Sequence, residues 1–395
     1  MANTLTALIP KVFARGLPAL RANAVTPRLM TDYSFMIGGP GAKGNVLTIP
    51  KGAAQAVATI TPSNAAPSNT DHTAGSETLT VDTWEGTSFH LSDQEMTQID
   101  ADNTFIPLQI AEAFKGMGDA FDAAALALYK DIYGASGTPG TAPFATTLGA
   151  WTGSGGARAI LQDQLSPMGP LNSVLDSAAE GNLLGLSVIH AADSRGSDAT
   201  MNSGQIGSAL GVNWHNNQNV PTHTPGTLSD GTGMLALVND ASYTVGESTV
   251  DIDATSLSGT VVVGDIFTVA GDSQQYTVTA GATAGSNAIA GMAFKPTSQV
   301  AWANNAQITF IGGATSNPTH VANMVFHPGA FGYAFARPEA DMAVDADMQT
   351  VIRDPVTGIP IRLMITREHY QTTWRLDYIY GVKTIREELA CRIAG

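Results

Sequence analysis

The sequence predicts an α+β fold with a separate all-β insertion, and three stretches carry that prediction. Residues 105–133 place apolar side chains at Ile110, Phe114, Met117, Phe121, Ala124, Leu128 and Ile132, the spacing of one stripe along an α-helix. Residues 361–382 alternate instead. Ile361, Leu363 and Ile365, then Trp374, Leu376, Tyr378, Tyr380 and Val382, follow the period of two strands with one buried face each. Between 226 and 313 there is hardly a helical period. Short runs of Val, Ile, Thr, Tyr and Phe are separated by Gly, Asp, Asn and Ser, the texture of a small sandwich or barrel.

Around these stretches the other elements follow in chain order. Residues 1–44 read as an arm, with a short apolar helix near Leu5 and then Pro18, Pro27 and Pro40. The Gly38-Gly39-Pro40-Gly41 run closes it as a joint. So apolar a segment with so little period cannot bury itself, and it either lies on a neighbour or frays. Residues 45–90 read as two strands with a long tip rich in Pro, Asn, Ser and Thr, of the kind that grips a partner.

The long helix follows. Asn103 and Thr104 offer capping oxygens, Pro107 suits the first turn and Gly134 stops it. At about 28 residues it spans roughly 42 Å. Gly116 and Gly118 each cost about 1 kcal/mol relative to Ala, so packing must hold it. An ordinary core helix gives the same stripe. After it come a Gly/Thr/Pro-rich connection, a strand near 171–176, a helix near 178–186 and a strand at 212–215. Beyond the β insertion, 324–326 reads as a strand, 328–336 as a helical turn, and Asp354-Pro355-Val356-Thr357-Gly358 as a hairpin turn. The two alternating strands then need a helix to cover them, and the long helix is the one of matching length.

At 395 residues with 44% hydrophobic content, the chain buries a sizeable core in two or three units. Only 13% of residues are charged, about half the usual share, which favours a surface meant to be covered. Net charge is −15, unevenly spread. Residues 1–31 carry Lys11, Arg15, Arg21 and Arg28 and no acid, and residues 353–395 carry seven basic and five acidic side chains. Residues 32–352 carry eight basic against 29 acidic. Basic ends and an acidic body favour head-to-tail contact between copies and disfavour wrapping of nucleic acid. The single Cys391 excludes an internal disulfide framework. No secretory signal and no stretch long enough to span a membrane is read, so the expectation is synthesis in the cytoplasm.

Catalytic constellations are hard to find. The eight histidines are scattered. His215 and His223 share a polar loop and form at best a weak metal pair against solvated loop residues. Gly39-Pro40-Gly41-Ala42-Lys43-Gly44 fails the order of a phosphate loop, and no G-x-S-x-G elbow occurs. Asp251 and Asp253 read as alternate acids on an exposed strand sooner than a calcium site. Trp151, Trp214, Trp302 and Trp374 read as core. No catalytic residue, cofactor site or metal site is expected, and the chain reads as a non-enzyme.

With its elements in order, the chain resembles a tailed-bacteriophage major capsid protein of the Hong Kong-type fold, in the variety that carries an inserted β domain. The resemblance covers most of the chain. Its local carriers are Val174-Leu175-Asp176 before 178–186, Gly204-Gln205-Ile206-Gly207 with Leu210-Gly211, and Trp214 before Gln218-Asn219-Val220-Pro221. Beyond the insertion they are Phe326-His327-Pro328, Ala330-Phe331, the turn at 354–358, Gln371-Thr372-Thr373-Trp374 and Tyr380-Gly381-Val382. The resemblance implies an arm (1–44), an extended loop (45–90) and a peripheral domain with the spine helix (91–170). A central or axial domain follows in two parts (171–225 and 314–352) around the inserted β domain (226–313), with peripheral C-terminal strands (353–395). It further implies a homo-oligomer of pentamers and hexamers forming an icosahedral shell around double-stranded DNA, without sequence-specific binding and without a membrane. Scaffolding and portal proteins are the other partners it implies. The residues expected at contacts between subunits are Lys11, Arg15, Arg21 and Arg28 of the arm, and Lys51 at the base of the loop. The alternative is a β-rich surface or adhesion module centred on 226–313, binding a carbohydrate or protein; a metallohydrolase using His215 and His223 is a third.

Overall fold

The computed structural model describes residues 16–18, 20, 24–37, 45–52, 57, 59, 62, 75–99, 105–191, 203–231, 233, 235–313, 317–337 and 349–395. The chain divides into two compact units, one built on 31–103 and 331–385, the other on 11–30, 104–330 and 386–395.

The first unit is a twisted sheet organised by one long strand, Gln371–Thr384. Its early half pairs with Pro360–Glu368 in a hairpin, Glu368 facing Gln371, and its late half pairs with Phe331–Ala336. Thr83–Ser92 runs antiparallel along the other side, from Ser92 opposite Gln371 to Thr83 opposite Tyr380. Alternation fixes the faces. Trp374, Leu376, Tyr378 and Tyr380 are buried together with Ile361, Leu363 and Ile365. The turn at 354–358 forms as its sequence requires. The Asp354 carboxylate accepts from the Thr357 amide at 2.9 Å and from its hydroxyl at 2.7 Å, and Gly358 takes the positive φ.

Val46–Lys51 and Gly75–Thr80 form the two-stranded base of the extended loop, Val46 facing Thr80 and Lys51 facing Gly75. Leu47, Ile49 and Leu79 bury one face of it with Val81, Ala334 and Ile385. Two readings change here. The strand expected to run through 78–89 breaks at Asp82, and its second part leaves the loop for the sheet. The helical turn expected over 328–336 is a single 3-10 turn, Pro328–Ala330, followed by a fully paired strand.

In the second unit the long helix runs Phe105–Leu126 and tightens into a 3-10 segment at Ala127–Asp131. The regular α part is therefore about 33 Å long at 1.5 Å per residue. Tightening to three residues per turn rotates the stripe. Tyr129 is buried in place of the expected Leu128, while Ile110, Phe114, Met117 and Phe121 stay on the buried face. The N-terminal segment packs on this helix. A side chain at Gly16 would stand 2.3 Å from the Phe114 ring, so only glycine permits that approach.

A seven-stranded mixed sheet forms the centre of this unit. Its order is Ala135–Gly137, Ala390–Ala394, His320–Phe326, Leu171–Leu175, Val212–Asn216 and Ser208–Ala209, with Thr222–His223 also paired to the 320–326 strand. Leu171–Leu175 is buried along its whole length, as expected for a strand covered on both faces. Helix Ser177–Gly185 is capped by Asp176, whose carboxylate accepts from the Ala178 and Ala179 amides. It packs its Ala179 and Leu183 into a core with Trp151, Leu161 and Trp214.

Residues 236–310 form a closed antiparallel barrel. Its strand order is Ala236–Val238, Thr249–Asp253, Ala288–Lys295, Tyr276–Val278, Ile266–Val269 and Gln307–Phe310, and the last pairs back to the first. Closure leaves no free edge. The interior is aromatic. Phe267 lies 5.8 Å from Phe294, 5.7 Å from Tyr276 and 6.1 Å from Phe310, and Trp302 stacks flat on Tyr243 at 4.5 Å.

Candidate assembly surface and buried anchors

Of the five residues expected at contacts between subunits, two are described. Arg28 is exposed at the end of the 3-10 turn Thr26–Arg28. Lys51 ends its strand at the base of the extended loop, half-buried opposite Gly75. Lys11, Arg15 and Arg21, and most of the loop tip, lie outside the described residues.

What holds Arg28 in place is a residue the sequence reading passed over. Asp122 is fully buried on the long helix, and its carboxylate accepts from the Val25 amide at 2.9 Å and the Thr26 amide at 3.1 Å. The Thr26 hydroxyl and the Asn217 side-chain amide complete its shell. Burial pushes the Asp122 carboxyl above the usual carboxylate range, and the four donors pull it back. The segment is thus tied to the helix by donors that would be stranded without the acid. Asp122→Ala is expected to cost about 2–4 kcal/mol, the scale of several buried donors left unpaired. Urea unfolding, read beside protease cleavage near residue 24, checks this; a change below about 0.5 kcal/mol would contradict it.

On the first unit Trp84 is 66% exposed, one of several large apolar side chains open at its surface, with Phe35 and Tyr370. It is held in place at the surface: its indole N–H donates to Asp377 at 2.7 Å, and the Arg362 guanidinium lies 5.8 Å from the ring centre. Arg362 forks onto the same Asp377, which raises the arginine's already high pKa. Beside it an open groove of about 420 Å³ is lined by Gly86, Ser88, Met364 and Arg375. A fixed, exposed tryptophan with an arginine against it is the composition of a protein-contact hot spot.

The third arrangement lies where the barrel joins the central sheet. Arg392, on the last strand, is buried and donates to the Ile132 carbonyl at 2.8 and 3.1 Å, to the Gly264 carbonyl at 2.8 Å and to the Thr277 hydroxyl at 3.3 Å. One side chain thereby ties the end of the long helix, the last strand and the barrel together. Burial draws its pKa down to about 10, which still leaves it charged at neutral pH. Alongside, the Tyr129 hydroxyl meets His223 Nδ1 at 3.0 Å, and His223 Nε2 meets the Asp265 carboxylate at 3.0 Å. Asp265 also accepts from the Gly226 and Val262 amides. His223 is therefore a buried anchor and not the solvated loop residue expected, while His215 is half-buried on the Val212–Asn216 strand. Among the described residues no group of three His, Cys, Asp or Glu side chains is placed to hold a metal ion.

The order of these elements has counterparts among solved structures. A structure from Mycobacterium phage Che8 is similar over 94% of this chain and 91% of that one, with a TM-score of 0.52 at 14% identity. This chain has the fold of that phage structure. The capsid structure of cyanophage P-SCSP1u and the asymmetric unit of the bacteriophage PhiM1 mature capsid are similar at TM-scores of 0.48 each, with 12% and 11% identity. They match 94% of this chain in both cases, and 88% and 87% of their own. No family model and no curated protein matches. Among the described residues, no helix is long and apolar enough to cross a membrane.

Asp122, Trp84 and Arg392 are the residues sequence reasoning missed. Asp122 left one trace, an acid set directly behind Phe121 in an otherwise small and apolar run. Trp84 left none beyond its strand context. Arg392 belongs by composition to the basic C-terminal end, although its charge is buried and adds nothing to that surface.

Proposed function

We propose that this chain is the major capsid protein of a tailed bacteriophage, assembling copies of itself into the icosahedral shell that encloses the double-stranded DNA genome. The observation that carries the reading is likeness to a phage structure over nearly the whole of both chains. Three features support it independently. The charge is split between basic ends and an acidic body, the two-stranded base of the extended loop carries a tip of more than twenty residues, and an exposed tryptophan is fixed on a sheet face. In this reading the protein works by repeated contact between subunits and not by catalysis. Pentamers and hexamers form the shell, scaffolding and portal proteins take part in its assembly, and DNA is enclosed without sequence-specific contacts. Lys11, Arg15, Arg21 and Arg28 meet acidic neighbours, and the 45–90 loop with Lys51 reaches an adjacent subunit. The domain divisions expected from sequence, from the arm at 1–44 to the C-terminal strands at 353–395, belong to the same proposal. The surface-module alternative is not favoured, because the likeness extends far beyond 226–313.

Assembly assays test this. Replacing Lys11, Arg15, Arg21 and Arg28 together with Gln, or Trp84 with Ala, is expected to lower the yield of fast-sedimenting particles by about tenfold or more. A tenfold change in one equilibrium corresponds to about 1.4 kcal/mol in total, so a small loss at each repeated contact suffices. The monomer should keep its circular dichroism and thermal midpoint. Normal particle yield from both variants at physiological salt would remove these residues from the contact surface.

A further inference from the structure

We propose that the junction between the barrel and the central sheet is a proton-sensitive joint: it is closed when His320 is neutral and loosens when that imidazole takes up a proton. His320 begins the strand that returns from the barrel to the central sheet, and His223 lies on the strand that leads out to it; the two residues pair directly across those strands. Their rings meet edge to face at 5.3 Å. Both entry and exit of the barrel are thus held at one pair of imidazoles.

The protonation pattern of the closed joint follows from the partners. The Pro318 carbonyl can only accept, so His320 Nδ1, 3.0 Å away, carries the hydrogen and Nε2 is the site open to a proton. Asp265 accepts from two backbone amides, so His223 donates to it through Nε2–H and receives the Tyr129 hydroxyl at Nδ1. The charged groups around the pair are Arg392 from the last strand and Asp265 from the barrel, with Asp131 and Lys130 at the end of the long helix. Arg392 and Asp265 balance one another. A proton on His320 adds an uncompensated positive charge beside a buried guanidinium, in a gap with no room for a water molecule. The backbone is closely fitted there. Gly264, at φ +97°, lets the chain pass where a side chain would stand 3.3 Å from His223 and 3.2 Å from Lys130.

Burial, with His223 and Arg392 nearby, lowers the pKa of His320 below the ordinary imidazole value, while the Pro318 carbonyl and Asp265 act the other way. With a folded-state pKa below the unfolded one, His320 contributes stability that is present above the ordinary imidazole range. It is lost as pH falls through the lowered value. What loosens is the joint and not the barrel, whose core of Phe267, Tyr276, Phe294 and Phe310 contains no titrating imidazole.

Hydrogen exchange of the full-length chain at about pH 7.5 and about pH 5, corrected for intrinsic rates, reads this directly. Peptides covering 222–226, 262–266 and 318–322 are expected to exchange about tenfold faster at the lower pH, the scale of one pKa unit. Peptides from strands 249–253 and 288–295 should stay protected. His320→Asn keeps a donor for the Pro318 carbonyl but cannot take a proton, and should abolish the pH response. Unchanged protection in the wild type, or the same response in His320→Asn, would overturn the proposal. Should His320→Asn be open at both pH values, the wild-type midpoint decides. A midpoint below about 6.5 but above the carboxylate range upholds the joint, and one near about 4 assigns the change to acids and overturns it.

Discussion

Replacing Arg392 with Met is expected to lower the stability of the second unit by about 3–5 kcal/mol, among the largest effects of any single substitution in this chain. Two effects of opposite sign compete. Removing a buried guanidinium relieves the cost of its desolvation, which is visible in its lowered pKa. Against that, the carbonyls of Ile132 and Gly264 lose charged donors in a site closed to water, and Asp265 loses its nearby counter-charge. Each stranded acceptor costs about 1–3 kcal/mol, so the loss exceeds the relief. Lysine would not restore the arrangement, because a single ammonium cannot reproduce the fork that reaches both carbonyls and Thr277. Urea unfolding followed by circular dichroism measures the change. An Arg392→Met protein with an unaltered midpoint would mean that the joint is held by the surrounding strands alone.

Phe267→Ala is expected to cost about 3–5 kcal/mol and to open the barrel selectively. The ring is fully buried and contacts Tyr276, Phe294, Phe310 and Trp302, with centroids between 5.7 and 6.5 Å, so no one neighbour can move to fill the space. Six short strands close on this ring, and the shortest has three residues, so local pairing cannot replace the lost packing. Limited proteolysis separates this from general destabilisation. Cleavage should appear first within 236–310 in the variant, and a cleavage pattern like that of the parent would contradict it.

How far each feature was legible in the sequence depended on whether its cause was local. The long helix was legible because its apolar stripe is a property of neighbouring residues. Its end was not, since the change to 3-10 geometry at Ala127 answers to Tyr129 packing against His223 and Arg392. Strands such as Ile266–Val269 and Gln307–Phe310 declared themselves by β-branched and aromatic residues. Ala288–Lys295 did not, because Ala288-Ile289-Ala290-Gly291 has no such run and becomes a strand through pairing with Thr249–Asp253, the neighbour at 276–278 joining only at Phe294 and Lys295. Phe331–Ala336 read as helical for a similar reason, mixing Gly and Ala with aromatics that only their neighbours place.

The anchors were the least legible features. Asp122 acts on residues about a hundred positions earlier in the chain, and Arg392 on residues about 260 and 128 positions away. Neither spacing leaves a pattern in one sequence. Composition pointed the wrong way for Arg392, since a cationic terminus reads as a surface until the fold shows what encloses it.

Self-assembly is read most plainly by electron microscopy of negatively stained purified protein, with sedimentation velocity alongside. Closed shells tens of nanometres across, or rings of five and six subunits, are expected, formed by the chain alone or together with a scaffolding protein of the kind proposed above. Particles that never form, with the chain remaining a monomer even when co-expressed with the other structural proteins of its genome, would contradict it.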